Sequence, residues 1–354
     1  MRLLEVTHYM TPHAGGIERV ASMLVDGLSR RGHDVRWVAS ACGGVAGTDG
    51  ARVRLPAWNV LEERLGVPYP ILGPGAAWTL ADHVRWADVV HVHDCLYMSS
   101  ALAVGAARER GTATLLTQHI GPHPYAPPLA ALQHAAYRTL GRALLGAADR
   151  LAAVSPHVPA WFRSLGMRRP FEIVPNAVEP RFRPPTSDER RAARQVWGVS
   201  GPAVLFVGRL IPLKGLAQAL AAWPDLLVVG DGPERRLLGP RARHIPGVPP
   251  ERMHELYWAS DLLLLPSRGE GFVTLAVQEA MLCGLPVVVS DDPAFRLNLA
   301  GAPGVGFGAA PAELALLARR LLDERPSPAG WARARWSHER FLDGYERLLA
   351  GLTR

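Results

Sequence analysis

Short apolar runs rich in Val, Ile and Leu alternate along the chain with longer stretches whose apolar positions recur every three or four residues. That alternation is the pattern of parallel sheets joined by crossover helices. In the first half the runs predict strands at 2–7, 34–39, 52–55, 89–93, 113–117, 151–154 and 172–174. Between the first two, Val20, Ala21, Leu24, Val25 and Leu28 share one helical face and predict a helix over 17–31. After Pro175 the polar, proline-bearing segment EPRFRPPTSDERRAARQ marks a linker and one charged helix. A second set follows, with strands at 203–207, 226–229, 262–265 and 287–289 and helices at 216–222, 251–259 and 274–282. A last helical stretch, 331–350, comes after a Pro-Ser-Pro break. The expected architecture is α/β with two doubly wound domains, 1–180 and 181–330, and a final helix within 331–354 that crosses back to the first. Ligands of such sheets bind at the carboxyl ends of the strands, so a cleft between two facing domains is the expected site.

With 354 residues, 48% of them hydrophobic, the chain is long enough for two full cores, and disordered or fibrous classes are excluded. The longest stretch without a charged residue, 111–137, holds four prolines and several histidines, which a lipid-facing helix does not tolerate. The start, MRLLEVTHYM, reads as a first strand and not a signal peptide, and a cytoplasmic location is expected. Cys42, Cys95 and Cys283 stand far apart with no C-x-x-C spacing, which argues for reduced thiols and against a zinc site. The net charge of +7 is concentrated in residues 1–185, with 19 arginines against 14 acids. An ordinary arginine-rich surface explains this, while a phosphorylated substrate or a peripheral contact with anionic lipid at the inner membrane face stays open, the latter through Arg138 and Arg142 on a helix around 129–145. A nucleic-acid partner is not expected. Of the 39 basic residues 38 are arginine and one, Lys214, is lysine. A lone lysine in such a chain marks a place where a compact ammonium on a flexible stem is needed.

Four segments carry candidate chemistry. In HAGGIERV, Gly15 and Gly16 precede a helix, where free N–H groups favour an anion, although a simple tight turn explains them equally well. In VGRLIPLKG, Arg209 and Lys214 lie on a loop after a buried strand and can converge on one diphosphate. In PSRGEGFVTLAVQEAM, Glu270 stands at a strand's carboxyl end, able to accept sugar hydroxyls, and Glu279 lies on the next helix, able to take two ribose hydroxyls. The backbone from Gly271 through Phe272, Val273 and Thr274 offers unpaired N–H groups to phosphate, with helix capping or salt bridging as the plainer role for either glutamate. His119 in LLTQHIG follows a strand of the first domain toward the same cleft. His91 and His93 alternate on one strand and share a face, but no third metal ligand is evident by spacing, so half-buried strand histidines are the preferred reading. No stretch supplies G-x-G-x-x-G before a helix, G-x-S-x-G, H-E-x-x-H or a P-loop, and no D-x-D stands ready to hold a divalent ion on a sugar diphosphate. Leaving-group charge then falls to protein cations, and neither metal nor cofactor is expected.

Taken in order, GGIERV, GHDV, DVVHVHD, TQHIG, ADRLAAVS, VPNAVEPRFRP, VGRLIPLKG, VVGDGPER, ASDLLLLPSRGEGF and VQEAMLCGLPVVVSD resemble the retaining GT-B glycosyltransferases of family 4, also called group 1, over nearly the whole chain. The resemblance implies two Rossmann-like domains, the first binding an unidentified hydroxyl acceptor and the second a nucleotide-sugar donor. It implies that Arg209 and Lys214 hold the diphosphate, that Gly16 approaches it, and that Glu270, Gly271 and Phe272 contact donor sugar and phosphate. It also implies that Glu279 holds the ribose and that His119 lies beside the transferred sugar. One departure stands out: eight residues separate Glu270 from Glu279 where the family usually has seven, with Val273 where glycine or proline is common. That leaves Glu279 in register and the register of Glu270 open. A GT-B epimerase or phosphorylase, or a non-catalytic nucleotide-sugar-binding module, are the alternatives.

Overall fold

A computed structural model describes residues 1–11, 13, 15–41, 45–65, 67–119, 127–270 and 272–353. The chain divides into two units, one formed by residues 1–176 with 339–354 and the other by 177–338. The first unit takes in the final helix His338–Ala350 from Glu339 onward. The helical stretch expected at 331–350 is broken in two, because Ser337 takes an extended conformation after the helix Ala329–Trp336. Arg31 anchors the last helix to the first unit through Glu339, Asp343 and Glu346.

The first unit carries β1 (Arg2–Val6), β2 (Asp34–Ser40), β3 (Gly47–Asp49), β4 (Arg52–Leu55), β5 (Ala57–Trp58), β6 (Ile71–Leu72), β7 (Val89–His93), β8 (Ala113–Gln118), β9 (Arg150–Ala153) and β10 (Glu172–Ile173). Eight of these form one sheet in the order β10-β9-β8-β7-β1-β2-β4-β3, parallel except for the β3–β4 pair, while β5 and β6 make a small antiparallel ribbon. The strand order reverses between β1 and β7, so the loops after β1, β7 and β8 gather where doubly wound sheets bind ligands. The second unit holds β11 (Val204–Val207), β12 (Leu227–Val229), β13 (Arg243–Ile245), β14 (Leu262–Leu265), β15 (Val287–Ser290) and β16 (Val305–Gly308). Its all-parallel order is β13-β12-β11-β14-β15-β16, which sets the reversal between β11 and β14.

Central strands covered on both faces read as unbroken apolar runs, and β14 and β15 are buried at every position. Short edge strands lack that signature. For that reason β13 and β16 escape a hydropathy reading; β16 is followed after two residues by the helix Pro311–Glu324. The charged helix after the linker, Ser187–Val196, starts on a capping box in which Thr186 and Glu189 each accept from the other's backbone N–H. Cys95 and Cys283 are free and buried, and Cys42 lies outside the described residues. Among the described residues no helix is long and apolar enough to cross a membrane.

Candidate active site

In the second unit, β11 delivers the chain into Gly208 and Arg209, then a single 3-10 turn, Pro212–Lys214. Gly215 follows with φ of 74°, where a Cβ would run into the Pro266 carbonyl oxygen just past β14. A residue without a side chain is required there, and it brings the loops after the two reversal-point strands together. Arg209 is exposed and its guanidinium makes no hydrogen bond or ion pair with a described residue. The Lys214 stem passes over Gly208, its Cδ 3.7 Å from where a Cβ would stand. Its ammonium donates to Glu270 Oε1, both side chains being more than four-fifths buried. The structure therefore joins two residues 56 apart in sequence at the carboxyl ends of β11 and β14.

Gly271 lies outside the described residues. Phe272 and Val273 are buried, and Thr274 caps the helix Leu275–Leu282, its hydroxyl accepting from the Val277 N–H at 3.4 Å. The Val273 carbonyl accepts from the Gln278 side-chain amide at 3.1 Å, which ties the loop to the helix it precedes. Glu279 is 2% exposed and its Oε2 accepts from the Tyr257 hydroxyl at 2.7 Å. Tyr257 comes from the helix Met253–Ala259, and no sequence signal pairs it with Glu279. His244 Nε2 donates to the Gly230 carbonyl just past β12, 2.8 Å away, so that ring nitrogen carries the proton.

In the first unit the helix Gly16–Arg30 opens at Gly15, in extended conformation, with no side-chain cap. Its first turn holds Glu18, whose carboxylate packs over Gly15 where a Cβ would otherwise be. A carboxylate of the protein itself therefore lies against this helix start. Glu18 is 2% exposed and takes His13 Nδ1 at 3.1 Å, with His8 Nε2 at 3.7 Å. The bond to Glu18 raises the His13 pKa against the opposing effect of partial burial. Burial lowers that of His8 to about 4, its ring lying flat on Tyr97 with centroids 3.9 Å apart.

His119 follows β8 and is not brought to Gly15 by any hydrogen bond to a described residue; it joins the strand histidines instead. Asp94, in the left-handed region at φ of 60°, accepts from the His119 backbone N–H at 2.8 Å. His119 Nε2 is 2.7 Å from His93 Nδ1. His91 and His93 are not half-buried as expected: both are fully buried, and both reach Glu5 of β1. Glu5 is the third group that spacing could not supply, because it belongs to a different strand paired in register with His91. Three ligand atoms of Glu5, His91 and His93 lie within 4.8 Å of one another, the spread a metal ion needs. Each of those atoms is engaged in a hydrogen bond within the group, Glu5 to His91 and Glu5 to His93. Burial opposes ionisation of Glu5, but the two imidazoles beside it prevail and hold its pKa down at about 2. Burial lowers the pKa of His93, and takes that of His119 well below the usual value with the neighbouring imidazoles adding to the effect.

The family models match both units: Glycosyltransferase Family 4 over residues 14–182 and Glycosyl transferases group 1 over residues 201–324. A D-inositol 3-phosphate glycosyltransferase of Acidothermus cellulolyticus is 30% identical over 338 residues, covering 78% of this chain and 70% of its own. Among solved structures, the sucrose-phosphate synthase of Thermosynechococcus elongatus superposes with a TM-score of 0.76 at 19% identity, over 99% of this chain and 98% of that one. Anabaena HepE, solved in complex with UDP-glucose, superposes with a TM-score of 0.74 at 17% identity, over 99% and 100%. The two doubly wound units, the loops gathered at their reversal points and these likenesses agree: the chain belongs to glycosyltransferase family 4, the glycosyl transferases group 1, and is a nucleotide-sugar glycosyltransferase of GT-B fold.

Proposed function

We propose that the enzyme transfers a hexosyl group from a nucleoside-diphosphate sugar to an acceptor hydroxyl, keeping the anomeric configuration and using no metal ion. The observation that carries this reading is the pairing at the β11 and β14 carboxyl ends, where Glu270 holds the sole lysine on the loop that also carries Arg209, an arginine with no described partner. Arg209 and Lys214 together supply the positive charge that a departing diphosphate requires. Glu270 keeps Lys214 placed and, when the diphosphate draws the ammonium, accepts sugar hydroxyls. Glu279, held by Tyr257, receives the ribose, and Phe272 through Thr274 line the phosphate approach. In the other unit His119 lies beside the transferred sugar, and Gly15 and Gly16 approach the phosphate. The acceptor hydroxyl gives its proton to the leaving diphosphate oxygen on the same face, so no enzymic nucleophile is needed.

UDP is the first nucleotide to test, because HepE is solved with UDP-glucose. Thermal unfolding in the presence of UDP, GDP, ADP and their glucose conjugates is expected to rise with one base only. A ligand bound by the native state alone at 100 times its Kd adds about 2.7 kcal/mol. Product analysis with and without acceptor follows: a transferred sugar supports the proposal, while donor turnover to an isomer or sugar phosphate, or binding with neither transfer nor hydrolysis, rejects it. A cytoplasmic enzyme touching the inner membrane face belongs to the same reading, supported by Leu132 and Leu140 exposed on the segment that carries Arg138 and Arg142; sedimentation with anionic vesicles tests it.

A further inference from the structure

Glu5, His91 and His93 take no part in the reaction as proposed, yet they place three fully buried ionisable groups in the sheet core. Register explains how they meet. Glu5 pairs with His91 across β1 and β7, His93 pairs with Thr117 across β7 and β8, and alternation along each strand puts Glu5, His91 and His93 on one face. From the last helix Tyr345 closes that face, its hydroxyl 3.3 Å from Thr117 Oγ1.

With each imidazole neutral, the protons in this network have one consistent arrangement. An ionised carboxylate only accepts, so the ring nitrogens facing Glu5, His91 Nδ1 and His93 Nε2, both carry hydrogen. A neutral imidazole has one N–H. His91 Nε2 is therefore bare and accepts from the Thr117 hydroxyl at 2.8 Å, which accepts in turn from Tyr345. His93 Nδ1 is likewise bare, and its 2.7 Å contact needs the proton of His119 Nε2. The chain of donors then ends at one atom, His119 Nδ1, a buried lone pair with no hydrogen-bond partner among the described residues. A buried acceptor left unmatched costs free energy unless a ligand satisfies it.

We infer that Glu5 and His93 are positioning residues that hold His119 in its Nε2–H tautomer, presenting Nδ1 as a hydrogen-bond acceptor to a hydroxyl of the transferred sugar. This rests on the reading that places His119 beside that sugar. The charged and titratable groups that act on the network are Glu5 on β1, His91 and His93 on β7, Asp94 after β7, His8 after β1, Glu18 on the first helix and Tyr345 on the last helix. Burial raises the pKa of Tyr345, which keeps its hydroxyl a donor, and burial keeps His93 and His119 neutral.

The test is a long-range proton–nitrogen spectrum of the full chain labelled with ¹⁵N-histidine, with the His119 signals assigned by their loss in His119→Asn. The expected result is a protonated Nε2 and a bare Nδ1, unchanged between about pH 6 and about pH 8. A protonated Nδ1 overturns the inference. In His93→Leu the lock is removed: His119 is expected to show both tautomers, and turnover to fall roughly tenfold, the scale of one hydrogen bond, with the Kd for UDP unchanged. A folded His93→Leu that keeps both the tautomer and the turnover also overturns it. Should that variant not fold, the spectrum of the unaltered protein decides alone. Transfer with the wrong tautomer sinks only this inference, whereas the expected tautomer without transfer from any nucleotide sugar sinks the proposed reaction and the sugar contact with it.

Discussion

Replacing Arg209 by alanine is expected to lower turnover about 10²- to 10³-fold while leaving the fold intact. The factor is that of removing one group aimed at charge that develops in the transition state, ~2.7–4 kcal/mol. Stability is spared because the guanidinium is exposed and bonds no described residue, and substitutions at such positions usually stay within about 0.5 kcal/mol. Lys214→Ala should cost a similar factor in rate, but it also leaves Glu270 without its ammonium, so some stability goes with it. Lys214→Arg is not a rescue, since a planar fork cannot follow the path of a flexible stem over Gly208. If Glu270 acts through Lys214, the double variant Lys214→Ala, Glu270→Gln will lose much less than the sum of the two single losses. Steady-state kcat, with urea midpoints to certify folding, decides the matter; a folded Arg209→Ala with near-normal turnover removes the arginine from its proposed role.

The second large effect is on stability against pH. His8 titrates at about 4 in the folded protein against 6.5 when exposed, because burial disfavours its charged form. A group whose folded pKa is depressed contributes its full stability above the unfolded value and loses it as pH falls toward the folded one. At ~1.36 kcal/mol per pH unit, the step from 6.5 to about 4 amounts to about 3 kcal/mol lost between neutrality and pH 4. His93 and His119 act with the same sign. Glu5 adds a second window, losing its contribution from about 4.5 down to about 2. His13 works the other way, its raised pKa favouring the fold below 6.5, but it is partly exposed and its share is small. Urea midpoints between pH 7 and pH 4 are expected to fall steeply in the native protein and less steeply in His8→Phe, which keeps the ring stack on Tyr97 and cannot titrate. A flat profile for the native protein would contradict the burial argument.

Much of the architecture was legible because it is written in local periodicity. The central runs that form β11, β12, β14 and β15 are apolar because both faces of the sheet are covered, while β4, Arg-Val-Arg-Leu, shows instead the alternation of a strand buried on one face. Arg209, Lys214, Glu270 and Thr274 could be picked out because they fall on loops just after such runs, and the strand-end rule gives those loops their meaning. The ordered motifs placed the chain in its family before any coordinates did. Edge strands such as β13 and β16 and the break at Ser337 were not legible, since short exposed segments carry neither periodicity nor burial.

Other features depend on distance in space alone. Glu18 looks like any helix-start carboxylate until its carboxylate is found packed over Gly15. Glu279 looks exposed on a helix until Tyr257 is found against it. Glu5 is one acidic letter in an apolar strand; its meaning comes from lying 86 and 88 residues away from His91 and His93 and yet between them in the core. Periodicity, turn residues and motif order reside in neighbouring positions, so they survive in a one-dimensional reading and were enough for strands, helices and family. Strand order and register are set by how the whole sheet excludes water, and only they could decide which polar side chains share a face, which carboxylate meets which cation, and where a lone pair is left over.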